Sequence, residues 1–164
     1  MNIFVLDKNI KKCARYHCDK HVVKMILEYA QILCTICNQH GLKTPYKSTH
    51  IKHPCVKWAG ESLQNWLWLK ELTVALNGEY KYRYDTQRNH EAYRVVTLLK
   101  TPVLPNIGLT EFAQAMPQKY KVKNNAVLAY RKFYVGMKKS FATWKKRRVP
   151  KWYKLMLRGN KTNP

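Results

Sequence analysis

A chain of 164 residues with 31 Lys and Arg against 9 Asp and Glu, a net charge of +22, attracts any polyanion, and nucleic acid is the commonest one. Its 46% hydrophobic content, with 11 Tyr, 5 Trp and 4 Phe, excludes a disordered chain and supports one core, hence a single domain over residues 1–164. No apolar run approaches the roughly 20 residues that cross a bilayer, so a membrane partner is not expected; double-stranded DNA is, with RNA as the alternative.

The opening Met1-Asn-Ile-Phe-Val-Leu6 runs straight into Asp7 and Lys8, unlike a signal peptide, which implies a reducing interior such as a host cytoplasm or nucleus. Five cysteines (Cys13, Cys18, Cys34, Cys37 and Cys55) are an odd number and read as free thiols. Cys34-x-x-Cys37 is half of a zinc pattern, with His50-x-x-His53-x-Cys55 as a conceivable other half. The flanks are apolar and no second Cys-x-x-Cys exists, so buried small hydrophobes are the better reading, with no metal and no cofactor expected.

In chain order, Asn2–Leu6 is a strand-like arm or a plug into the core. Asp7 or Asn9 caps a long first helix that runs to about His40, where Gly41 supplies a left-handed stop. Val22, Val23, Met25, Ile26, Tyr29, Ile32, Leu33 and Ile36 give that helix its apolar face. His17, His21, Lys24, Glu28 and Gln31 fall at steps of four, three, four and three, which stacks them on one stripe. Such a stripe is either a polar surface or a set of proton-transfer and charge-stabilising groups. Residues 42–55 form a basic, Pro-punctuated loop that includes Lys47. A second helix runs from about Pro54 to Tyr84, its Trp58, Trp66 and Trp68 read as core, with Glu61–Asn65 lining a cleft against the stripe. A short helix follows around His90–Leu99, then a turn-rich crossing at Pro102–Gly108. Thr110–Met116 reads as a short helix closed by Pro117. Asn124 or Asn125 caps a helix from Ala126 to about Ser140, with Val127, Leu128, Tyr130, Phe133, Tyr134 and Met137 inward. The sum is an all-α domain of four to six helices.

The C-terminal block interleaves Lys145, Lys146, Arg147, Arg148, Lys151 and Lys154 with Trp144, Trp152 and Tyr153. Cations neutralise phosphates and flat rings stack on bases, so these residues and Lys47 are the candidate nucleic-acid contacts. Tyr80-Lys-Tyr-Arg-Tyr84 repeats the alternation on a helix, which scatters its rings. Acids are few. Asp7 reads as a cap, Glu71, Glu79, Glu91 and Glu111 as exposed or at helix starts, and Asp19 and Glu28 lie in the stripe region. A carboxylate in a positive field stays ionised and suits a cationic, oxocarbenium-like transition state, while a nearby amine can trap the sugar as a Schiff base. Glu28, His21, His17, Lys24 and the α-amine of Met1 are the candidate catalytic groups. The alternative for Glu28 is an ordinary intrahelical pair with Lys24, worth a few tenths of a kcal/mol.

The opening also looks like that of uncharacterised proteins of phages and large DNA viruses. Asp19-x-His21 followed by Glu28 resembles the first helix of the phage-type pyrimidine-dimer DNA glycosylases, the endonuclease V type, and Arg148-Val-Pro-Lys-Trp-Tyr-Lys154 is similar to that family's basic tail. The resemblance implies a small, basic, all-α DNA glycosylase with a coupled lyase step, which attacks the sugar C1′ with the N-terminal amine. Glu28 would be its essential acid, His21 its helix histidine and Trp152-Tyr153-Lys154 its DNA-contacting tail. Three positions depart from the family. Asn2 follows Met1 where a small residue exposed by Met removal is expected, Leu27 stands where an Arg precedes the Glu, and Gln31 stands near a second Arg position. The candidate amines are therefore those of Met1 and Lys24. Two rival readings remain at this level: a non-catalytic nucleic-acid-binding protein, and a metal-independent ribonuclease with His17 and His21 as acid and base.

Overall fold

The N-terminal arm is a plug: Ile3, Phe4, Val5 and Leu6 are all buried in the computed structural model, which describes residues 1–159. Seven α-helices and one 3₁₀ turn follow, and no strand occurs among the described residues. They are α1 (Ile10–Tyr16), α2 (Asp19–Gln39), α3 (Pro54–Glu61), α4 (Leu63–Arg83), α5 (Glu91–Leu98), α6 (Ala126–Lys138) and α7 (Lys151–Gly159), with the 3₁₀ turn at Gln118–Tyr120. The all-α expectation holds, with one helix more than its upper bound. α2 is the axis of the fold and packs against α3, α4 and α5, while α1 lies on α4 and α7 on α6.

The expected long first helix is two helices. His17 and Cys18 are extended between α1 and α2, and several of the backbone groups freed by the break find partners elsewhere in the fold. The Arg83 guanidinium donates to His17 O (2.8 Å) and Arg15 O (2.9 Å). Cys18 N donates to the Tyr134 hydroxyl (3.0 Å) and Asp19 N to Thr143 O (2.9 Å). A helix end with its free groups so satisfied costs little. Asn9 caps α1 by accepting from Lys12 N, whereas Asp7 accepts from Asn9 N and pairs with Arg131. Gly41, at φ +76°, closes α2 as expected.

The second long helix is also divided. Ser62 is extended and caps α4 by accepting from Asn65 N (3.1 Å). Asn65 does not line a cleft; it is buried and holds Thr110, accepting from its N (3.0 Å) and donating to its Oγ1 (2.7 Å). That grip is part of why Thr110–Met116 is irregular rather than helical. Phe112 packs on Trp58 and Trp68, and Gln114 bonds both N and O of Val122. Side chains of other elements thus satisfy the backbone that a helix would have satisfied itself. Asn125 caps α6; Tyr130, Phe133 and Tyr134 are buried there, whereas Met137 faces outward at 49% exposure. All five cysteines are free and buried.

Candidate active site

The arm delivers the chain terminus onto α2. The Met1 α-amine lies 3.5 Å from Glu28 Oε2, and Asn2 N donates to the same oxygen at 3.2 Å. Lys24, one turn earlier on α2, places its amine 3.3 Å from Glu28 Oε1. One carboxylate therefore faces two amines from residues far apart in sequence. Glu28 retains 13% side-chain exposure and Lys24 70%, while the Met1 side chain is tucked in at 3%. The Lys24–Glu28 pair is open to water and adds little stability.

Asn2 fixes the terminus. Its Oδ1 accepts from Ile3 N (2.8 Å) and the Tyr130 hydroxyl (3.0 Å), and its Nδ2 donates to Ala115 O (2.8 Å). The Cys55 thiol reaches the same Oδ1 at 3.5 Å. The arm, the 110–116 segment, α3 and α6 thus converge on one side chain. His53, at the end of the basic loop, accepts from Cys55 N with Nδ1 (3.2 Å), so the neutral ring carries its proton on Nε2. Burial lowers its pKa, the N-terminal ammonium lowers it further, and Glu28 opposes both. Asn2, Tyr130 and His53 are absent from the sequence-based candidate set. A proline directly after His53 marks a helix cap, but only the fold brings that cap to the terminus.

His17 and His21 belong to the core, which corrects the stripe. His17 is fully buried, donating from Nδ1 to Cys13 O (2.8 Å), so Nε2 accepts from the Tyr29 hydroxyl (3.1 Å), which in turn accepts from Phe4 N. His21 stacks on Phe4 at 4.4 Å and accepts from the Tyr134 hydroxyl at Nδ1 (2.6 Å). Burial drives the His17 pKa down to about 4. It drives that of His21 to about 2, helped by His17, Lys138 and Lys24. Both rings are neutral and serve to pin the arm; they are not an exposed acid–base couple.

The C-terminal rings are likewise internal. Trp152 is packed edge-on to Tyr16 and Tyr134 under the Arg131 guanidinium, and Tyr153 lies edge-on to Trp144. Neither presents a face for stacking on a base. Arg147 is committed to Glu79 (2.7 Å) and lies over Tyr82; Lys145 donates its amide to Asp19 and lays its amine over Tyr84. Lys47, Arg148, Lys151 and Lys154 are exposed. Asp19 and Glu79, joined through buried Arg83, hold the start of α2 to α4 and the tail. Glu79 is thus buried rather than solvated.

Two cavities of about 590 and 580 Å³ lie away from this constellation. One adjoins Asp7, Glu111 and Asn125, and the other is the apolar groove between α1 and α4. The amine–carboxylate pair lines neither cavity and is partly buried, with Glu28 keeping 13% side-chain exposure. No group of three or more His, Cys, Asp or Glu among the described residues could hold a metal ion. A family model described as Pyrimidine dimer DNA glycosylase matches residues 1–92, which include Met1, Lys24, Glu28 and His53 but not the basic tail. No curated protein and no solved structure matches the chain.

Proposed function

The chain belongs to the pyrimidine dimer DNA glycosylase family, whose model covers more than half of it, and from that premise we propose that it removes a damaged or modified pyrimidine from double-stranded DNA with an amine nucleophile and then cuts the strand. The observation that carries this reading is the Met1 α-amine 3.5 Å from Glu28 Oε2. The terminal amine is the better fixed of Glu28's two neighbours, because Asn2 N bonds the same Oε2, whereas Lys24 is 70% exposed.

The amine nitrogen forms a bond to C1′ as the glycosidic C1′–N bond breaks and the base departs with the electron pair and a proton. Positive charge builds on the sugar during this step, and the Glu28 carboxylate lies where it stabilises that charge. Opening of the sugar ring leaves a protonated imine between protein and C1′. Loss of a C2′ proton then expels the 3′-phosphate by breaking C3′–O, and water hydrolyses the imine to return the amine. Glu28 is the carboxylate closest to the imine nitrogen and supports both steps. His17 and His21 take no part in proton transfer in this scheme; they hold Phe4, and with it the arm.

Borohydride reduction in the presence of ultraviolet-damaged or abasic duplex tests the proposal. The expected result is a stable protein–DNA adduct that maps to the N-terminal peptide, with Glu28→Gln slowing base release about 100-fold or more. A protein that binds duplex but gives no adduct and no cleavage would overturn it in favour of a non-catalytic DNA-binding role.

A further inference from the structure

Lys20 and Lys138, which no sequence motif singles out, sit on aromatic rings that pack around His21. Lys20 lies on α2 one turn before Lys24, so Lys20, Lys24 and Glu28 run along one stripe about 12 Å long at 1.5 Å per residue. Lys138 arrives from the last turn of α6. The two amines straddle a single aromatic block. Lys20 Nζ lies 5.0 Å from the Phe141 ring centre, and Lys138 Nζ lies 5.2 Å from Phe133 and 5.8 Å from Phe4. Neutral His21 ties the block together, stacked on Phe4 at 4.4 Å and edge-on to Phe141 at 5.6 Å.

Neither lysine has a carboxylate partner among the described residues, whereas Arg147, Arg131, Arg94 and Lys146 each do. Ring faces attract an ammonium but leave its charge uncancelled. These amines are therefore held in place with their charge available to a ligand. Lys20 and Lys24, about 6 Å apart along the helix axis, match about two phosphate steps of one strand at roughly 3.4 Å each.

We infer that Lys20 and Lys138, seated on the Phe4–Phe133–Phe141 block, form the phosphate-gripping track that lays one DNA strand across Lys24 and Glu28. The track adds to the exposed Arg148, Lys151 and Lys154 of the tail, whose rings are buried and whose Arg147 is paired with Glu79. The inference rests on the DNA-directed reading above, and the two can fail separately.

The test is equilibrium binding to an undamaged duplex by fluorescence anisotropy over a range of salt concentrations. Each lost phosphate contact lowers the slope of log K against log salt by about 0.9. Lys20→Gln with Lys138→Gln should therefore flatten it by about 2 and weaken binding, while Lys20→Arg with Lys138→Arg restores the wild-type slope. Arg94→Gln, at a cation already paired with Glu91, serves as the control and should leave the slope unchanged. A double Gln variant that folds and keeps the wild-type slope overturns the track but leaves the glycosylase proposal standing. A wild-type protein that fails to bind duplex overturns both.

Discussion

Arg83→Met should destabilise the protein more than most single changes outside the aliphatic core. The guanidinium is wholly buried and donates to Glu79 Oε2 (3.1 Å), Asp19 Oδ1 (3.1 Å), His17 O (2.8 Å) and Arg15 O (2.9 Å). Breaking a buried ion pair by removing one partner costs about 3–5 kcal/mol. Two facts pull this toward the lower end: Asp19 keeps two bonds from Lys145 N, and Glu79 keeps the Arg147 fork. Two others push it up, since the carbonyls at the α1–α2 break each lose a donor worth about 1 kcal/mol. The expected loss is about 4 kcal/mol. In urea, with an m-value of about 2 kcal/mol/M, the midpoint should fall by about 2 M. Because Arg83 sets where α2 begins, variant protein that remains folded at low temperature should also trap DNA more slowly. A loss under about 1 kcal/mol would refute the assignment of the helix break to Arg83.

Stability should fall as pH drops from about 6.5 toward 4. Both buried histidines have folded pKa values below the ordinary 6.5, about 4 for His17 and about 2 for His21. The unfolded chain therefore binds more protons in this window, and their contribution is full above pH 6.5 and lost on acidification. Two such groups give a slope approaching about 2.7 kcal/mol per pH unit; chemical denaturation between pH 7 and 4.5 measures it, His17→Asn should reduce it, and a flat profile would contradict the neutral, buried assignment. Lys24→Ala should still give a borohydride adduct on the N-terminal peptide, since the Met1 amine remains beside Glu28. Mass spectrometry that finds the adduct abolished would transfer the nucleophile to Lys24.

Much of the framework was legible in the residues themselves. Apolar periodicity located the helical segments apart from α7 and added one at 110–116 that does not form; Asp7 or Asn9, Gly41, and Asn124 or Asn125 marked ends, and Glu28 stood out with either Lys24 or the α-amine as its partner. Helical spacing could not show that His17 and Cys18 interrupt the first helix, because a break is decided by whether distant groups satisfy the freed backbone, and here Arg83, Tyr134 and Thr143 do so. Nor could it separate a polar stripe from a core-facing one: His21 shares the stripe's spacing yet turns inward because Phe4 and Tyr134 wait there. The cationic, aromatic tail illustrates the same limit, its charge plain from composition but its rings claimed by Tyr16, Tyr134 and Trp144. Composition and periodicity set which groups exist and which segments coil. Only long-range contacts decide which of those groups meet solvent, and they alone bring residue 1 to residue 28 and Lys138 to Phe4.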